Sequence, residues 1–213
     1  MNDNINILNK LFSPSVFSNF KRERFSAGSI VSHHDNKDVF VVIKGAVHGV
    51  RYYDKNEFIA PYIFSEGEIF GFYGNHIMKD TQFEFRASTD LEVIVIPESI
   101  ITEVVLNDFA LYKFFNESSA KIWSEIIKAI YIKFHGGSKA IFAFYLAEHS
   151  KEGKLYFLKT ENFPKSMNIS RIMFFKIEKE FIEKGLIKKM RKHYQILDLE
   201  ELQAYYKNLI YFD

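Results

Sequence analysis

The stretch Met167–Ile187, MNISRIMFFKIEKEFIEKGLI, has apolar residues at helical spacing and a glycine, Gly185, near its end. Ile169, Phe174, Ile177 and Phe181 fall on one face. Arg171, Ile172, Phe175 and Lys176 are thereby left outward. A basic segment follows at once in GLIKKMRKHYQILDL, where Leu186-Ile187 and Gln195–Leu197 flank a tip containing Lys188, Lys189, Arg191 and Lys192. This pattern predicts a two-stranded hairpin, or wing, after the helix. Asp198 is placed to cap a last helix, LEELQAYYKNLI. Upstream, Gly136-Gly137 interrupts the chain and Ser138 can cap the helix KAIFAFYLAEHS; the strand LYFLK and the turn-rich TENFPKSMN come next.

Charge singles out the same region. The whole chain of 213 residues carries a formal +1. From Ser138 onward about 14 Lys/Arg stand against 10 Asp/Glu, a balance of about +4 that leaves about −3 for the remainder. Within Lys159–His193 the ratio rises to about 10 basic to 4 acidic. A local basic patch on a near-neutral chain points to a polyanionic partner at one end; an ordinary solvated face is the plainer alternative.

The apolar share of 47% is that of a folded domain, with length enough for a real core. There is no cysteine, which excludes disulfides, thiolate-bound iron–sulfur clusters and cysteine redox sensing, and suits a cytoplasmic protein. The start, MNDNINILNKLF, has no basic segment followed by an apolar run, so no signal peptide is expected. No apolar run approaches the roughly 18 residues needed to cross a membrane. Phe, Lys, Ile and Asn share AT-rich codons, so the 23 phenylalanines are read as codon drift and not as a stacking surface.

The first hundred residues read as short strands: SIVSHH, DVFVVIKG, AVHGVRYY, FIAPYIF, FEFRAST and LEVIVIP, with HDNKD, DKNE and SEGE as turns. Such spacing predicts an antiparallel roll or barrel closed by Pro97. The period then becomes helical. ESIITEVVLND gives a short helix broken near Asn107-Asp108, and FALYKFFNESSAKIWSEIIKAIYIKF a long one. The long helix has two apolar stripes. One passes through Leu111, Phe115, Ser118, Ile122, Ile126 and Ala129; the other passes through Trp123, Ile127, Ile130 and Phe134. Two stripes need two partners, the chain's own barrel and a second copy of the helix. Leu111, Phe115, Ile122 and Ile126 are assigned to the dimer seam.

Four segments in this order, VFVVIKGAV, EGEIFGF, FRASTDLEV and ISRIMFFKIEKEFIEKGLI, resemble the cyclic-AMP receptor protein/FNR superfamily of bacterial transcription regulators. The likeness runs from about Phe20 to Leu202. It implies an α+β chain: an N-terminal antiparallel β-roll of the cyclic-nucleotide-binding type (1–107), a long dimerisation helix with its hinge (108–137) and a C-terminal winged helix-turn-helix (138–213). It also implies a homodimer on double-stranded DNA, with RNA polymerase as a further partner. The family's recognition helix opens with a Ser-Arg pair and has a basic residue five positions after the arginine. Ser170, Arg171 and Lys176 match this pattern. An arginine there can reach guanine O6 and N7 in the major groove. Two departures stand out. Many members have Glu directly after the arginine where this chain has Ile172, which can touch a thymine methyl but cannot accept from cytosine N4. Pro164 also requires the first helix of the motif to be short.

In the family's cyclic-nucleotide binders a Glu follows Phe-Gly, and an Arg-Ser pair holds the phosphate. Here Phe72 stands at the Glu position and Thr81-Gln82 at the Arg-Ser position, with Lys79 the sole basic candidate. A buried phosphate needs a paired charge, so cyclic-nucleotide binding is not expected. The pattern resembles the PrfA-like, cyclic-nucleotide-independent branch. No cofactor is expected, although His33, His34, His48 and His76 leave an axial haem ligand open. The remaining effector classes are an uncharged or peptide-like small molecule, or none. A cupin-like metalloenzyme is the chief rival. It would want two histidines two apart on one strand face, but no His-x-His occurs, and His33-His34 would point to opposite faces. A non-DNA-binding adaptor on the same fold is the second rival. No nucleophile–base pair or phosphate-binding loop supports catalysis.

Overall fold

The computed structural model describes residues 12, 18–33, 36–53, 56–71, 83–156, 164–165, 167–191 and 193–210. Two compact units divide between Trp123 and Ser124.

The first unit contains β1 (Lys21–Phe25), β2 (Ile30–His33), β3 (Val39–Lys44), β4 (Ala46–Tyr53), β5 (Asn56–Ser65), β6 (Ile69–Phe70), β7 (Phe83–Ala87) and β8 (Leu91–Ile96). They form two antiparallel four-stranded sheets, ordered β1-β8-β3-β6 and β2-β7-β4-β5. The sheets face each other through aromatic rings. Phe70 of the first sheet lies 4.7 Å from Phe85 and 5.5 Å from Phe64 of the second, and stacks on Phe40 at 5.0 Å. Ring pairs at such distances add to the area they bury.

The opposite face of the first sheet is covered as well. Val39, Val41, Ile94 and Ile96 form one core with Ile101 of α1 (Glu98–Glu103), Val105 of a 3-10 turn (Val105–Asn107), and Leu111 and Phe115 of α2 (Phe109–Glu148). Burial on both faces explains why VFVV and VIVI read as continuous apolar runs without alternation. β1 and β6 go beyond the strands expected from the sequence. KRERF is an edge strand whose charged residues meet solvent, and β6 has only two residues. Neither shows the apolar alternation by which strands are recognised.

The assignment of Leu111 and Phe115 to a dimer seam is corrected here. Both are fully buried in the first unit's own core. The exposed apolar stripe of α2 is the other one: Ile127 is 63% exposed, Ile130 61% and Phe134 82%, with Trp123 also exposed. Ile122 and Ile126 are intermediate. Helical spacing shows that two stripes exist, but not which of them the roll takes.

In the second unit, α2 runs on to Glu148 with one break, at Gly137 (φ 71°, ψ −158°). The interruption expected at Gly136-Gly137 is therefore a kink inside one helical run. Gly136 serves closeness: a Cβ there would stand 2.5 Å from both Ala140 and Leu209. After α2 come β9 (Lys154–Tyr156), α3 (Arg171–Glu183), β10 (Ile187–Lys189), β11 (His193–Ile196), α4 (Leu199–Ala204) and α5 (Lys207–Ile210). The three strands form an antiparallel sheet, β10-β11-β9. Its core joins Phe142 of α2 to Phe174 and Phe181 of α3, at 4.9 and 5.6 Å, and to Tyr194 of β11 at 6.0 Å. The fold class is the expected α+β arrangement of antiparallel roll, long helix and winged helical unit. Among the described residues no helix is long and apolar enough to cross a membrane.

Candidate nucleic-acid interface

Ser170 stands just before α3 with extended backbone (φ −62°, ψ 145°), and its Oγ accepts from the Met173 N–H at 3.3 Å. That is an N-cap, worth about 1 kcal/mol. The helix stops in a Schellman turn. Gly185 takes φ 73°, and the Leu186 N–H donates to the Phe181 carbonyl at 2.9 Å. Between these ends Phe174, Ile177 and Phe181 are buried, with Met167 and Ile169 buried just upstream. This is the face expected from the sequence.

The outward face carries Arg171, Ile172 and Lys176, all exposed, and Phe175, half-buried. Ile172 is 85% exposed, beside Met173, which is also exposed. The Arg171 guanidinium lies over the Phe175 ring, 5.7 Å from its centre, and the Lys189 ammonium lies 5.6 Å from the same ring.

The wing pairs Ile187 with Ile196, Lys188 with Gln195 and Lys189 with Tyr194. Side chains alternate along a strand, so Lys189 shares the face of buried Ile187 while Lys188 takes the other. Lys188 and Arg191 are exposed as expected, and Lys192 lies outside the described residues. Lys189 departs from expectation. Its Nζ is 2.9 and 3.1 Å from the two carboxylate oxygens of Glu178, a buried residue of α3 that also accepts from the Tyr194 hydroxyl. Burial first, and the Glu178 hydrogen bond second, push the Tyr194 phenol well above its ordinary range, so it remains a donor.

Other lysines on or beside α3 are paired as well. Glu180 holds Lys139 at 2.8 Å and Lys184 at 3.2 Å, and Lys179 meets Glu183 at 3.6 Å. The Lys139 hydrogen bond above all lowers the Glu180 carboxyl below its usual range, while a hydrogen bond to Tyr205 raises Lys184. The acidic residues thus balance the later turns of α3. Arg171 and Lys176 at its front, with Lys188 and Arg191 on the hairpin, form the cationic surface. Glu178 was missed in the sequence, although the signal was present: it lies four residues after Phe174, on the apolar stripe.

No family model and no curated protein matches the sequence. Solved structures do. A putative Crp/Fnr-family transcriptional regulator from Eubacterium rectale superposes with a TM-score of 0.72 at 18% identity, covering 96% of this chain and 99% of that one. The fold is that of the Crp/Fnr regulators. The Crp/Fnr fold recurs with similar fidelity in a CooA variant from Carboxydothermus hydrogenoformans, with TM-score 0.69, 18% identity and coverage of 96% and 95%. A Crp/Fnr-family regulator from Thermus thermophilus gives TM-score 0.68 and 19% identity, with coverage of 89% and 100%.

In the Crp/Fnr-type roll, His48 is buried with its Nδ1 2.6 Å from Ser88 Oγ. Buried Glu84 is paired with Arg86 and lies 4.0 Å from His33 Nδ1. Among the described residues no group of three or more His, Asp and Glu is arranged to hold a metal ion. Phe72, His76, Lys79, Thr81, Gln82 and His34, on which the reading of ligand specificity rests, lie outside the described residues.

Proposed function

We propose that this chain is a sequence-specific regulator of transcription, cytoplasmic, acting as a homodimer on a palindromic, AT-rich site in double-stranded DNA. The observation that carries this reading is the front of α3. Arg171, Ile172 and Lys176 are exposed together while the opposite face is sealed into the core. An exposed isoleucine is common on a protein surface; here it stands beside an exposed arginine and lysine on one helix face. A major-groove reader uses such a face: the arginine matches guanine O6 and N7, and the isoleucine and Phe175 match thymine methyls. The fold shared with proteins described as transcriptional regulators supports the same reading.

In this reading residues 1–107 form a sensor roll, 108–137 the dimerisation helix and hinge, and 138–213 the DNA-binding domain. The dimer forms along Trp123, Ile127, Ile130 and Phe134, and RNA polymerase is a further partner. The roll does not respond to cyclic nucleotides. Its effector, if it has one, is an uncharged or peptide-like molecule. Ser170 orders the start of the reading helix, and Lys176, Lys188, Arg191 and Lys192 meet phosphates or base edges.

Selection of bound duplex from a random pool, with purified protein and no ligand, tests the proposal. The expected site has two half-sites about 10 bp apart, because a two-fold dimer sets its reading helices about one helical turn apart. Arg171→Ala should then cost about 1–3 kcal/mol per half-site and relax the preference at one G·C pair. Equal losses on operator and scrambled duplex would reduce Arg171 to a phosphate contact. Failure to enrich any duplex would favour the adaptor reading.

A further inference from the structure

Phe174, Ile177, Glu178 and Phe181 occupy successive inward positions of α3, and three of the four are apolar. A carboxylate in such a place is costly unless its charge is met. Glu178 is met twice, once by each strand of the wing: by Lys189 of β10 and by the Tyr194 hydroxyl of β11. One turn nearer the front of the helix, the Phe175 ring lies beneath both Lys189 and Arg171. Cation, ring, cation, carboxylate and phenol thus form a continuous ladder from the first turn of α3 to both wing strands.

We infer that Glu178 is a positioning residue of the DNA interface: it fixes the wing against the reading helix through Lys189, withdraws that lysine's charge from the phosphates, and through Phe175 keeps Arg171 at the helix front. The inference rests on the DNA-binding reading and adds a specificity device to it. Binding to any duplex grows with the number of cations facing phosphate, whereas discrimination comes from contacts to base edges. A lysine neutralised by an internal carboxylate contributes rigidity to the reader without contributing indiscriminate attraction. Alternation along β10 divides the two neighbouring lysines accordingly: Lys188 faces DNA in this reading, while Lys189, although still exposed, turns its ammonium to Glu178.

The test uses the full-length protein, its selected operator and a scrambled duplex, with affinities measured across a salt series. Glu178→Gln keeps an acceptor for Tyr194 but frees the charge of Lys189. The slope of log affinity on log salt should steepen by about 0.9 and scrambled duplex should bind more tightly; the operator gains the same phosphate contact but loses part of the positioning of Arg171, so operator preference falls. An unchanged or shallower slope overturns the inference. The double variant Glu178→Gln/Lys189→Met exchanges one neutral pair for another, and its slope should equal that of the wild type. A loss of about 0.9, like that expected of Lys188→Met, would mean that Lys189 meets phosphate and would overturn the inference even if the single variant fails to fold. Should the wild-type protein bind no duplex, the DNA reading itself fails, and the ladder is then read by thermal unfolding. Glu178→Gln and Lys189→Met should show a coupling of about 2 °C or more in a double-mutant cycle, and strict additivity would overturn the ladder.

Discussion

Two parts of α2 put similar side chains to opposite uses. Leu111 and Phe115, in its first turns, are fully buried against β3, β8 and α1. Ile127, Ile130 and Phe134, further along, are as apolar and lie in solvent. The first group works within its own unit and stabilises it whatever the chain's surroundings. The second has no such role among the described residues, and in the proposed dimer it forms the seam. Apolar character alone therefore does not distinguish a residue that holds a fold from one that holds a partner; the neighbours do.

Substitutions on the two parts should separate these roles. The largest effect is expected at Phe115, where Phe115→Ala opens a cavity in the first unit and should cost about 3–5 kcal/mol in denaturant unfolding. A loss below about 1 kcal/mol would show that the core collapses around the gap and that the contrast is overstated. Ile127→Glu with Ile130→Glu should leave each unit's stability nearly unchanged. In the proposed dimer it buries two unpaired charges from each protomer, and the dissociation constant should rise by about 100-fold or more, about 2.7 kcal/mol. Light scattering that still gives the dimer mass would remove that stripe from the seam.

Smaller effects test the second unit. Ser170→Ala removes the cap of α3 and should cost about 1 kcal/mol, measured as a lower melting temperature of the winged unit. Tyr194 gives a pH dependence that is confined to alkaline pH. Its phenol is raised above the ordinary 10.0 in the folded unit, so its contribution to stability is complete below about pH 10 and declines as pH rises, because the unfolded chain ionises first. Melting temperatures between pH 8 and 11 should fall more steeply for the wild-type protein than for Tyr194→Phe. Parallel curves would show that the burial of this phenol is not linked to folding.

The same contrast explains how much could be read from the sequence. Period and punctuation placed the roll strands, the long helix with its glycine break, α3 and the wing, because each follows from local spacing. The buried face of α3 was legible for the same reason. What escaped depends on distant neighbours. KRERF carries an edge strand's charges and none of the alternation of a half-buried one. The choice between the stripes of α2 depends on where β3 and β8 lie, and spacing along a helix contains no such information. Lys189 looked identical to Lys188 in a basic run, yet alternation along β10 sends it towards Glu178.

The break in α2 has a stereochemical consequence. Gly137, at φ 71° and ψ −158°, holds nearly the mirror image of the extended polyproline conformation. An L-residue would be strained there by about 1–3 kcal/mol, even though no neighbour stands within 4 Å of an added Cβ. The position is thus closed by handedness and not by space. Of the twenty encoded residues only the achiral one suits it, whereas a D-alanine introduced by chemical ligation would be in one of its own favoured conformations and should retain the bend while narrowing its freedom.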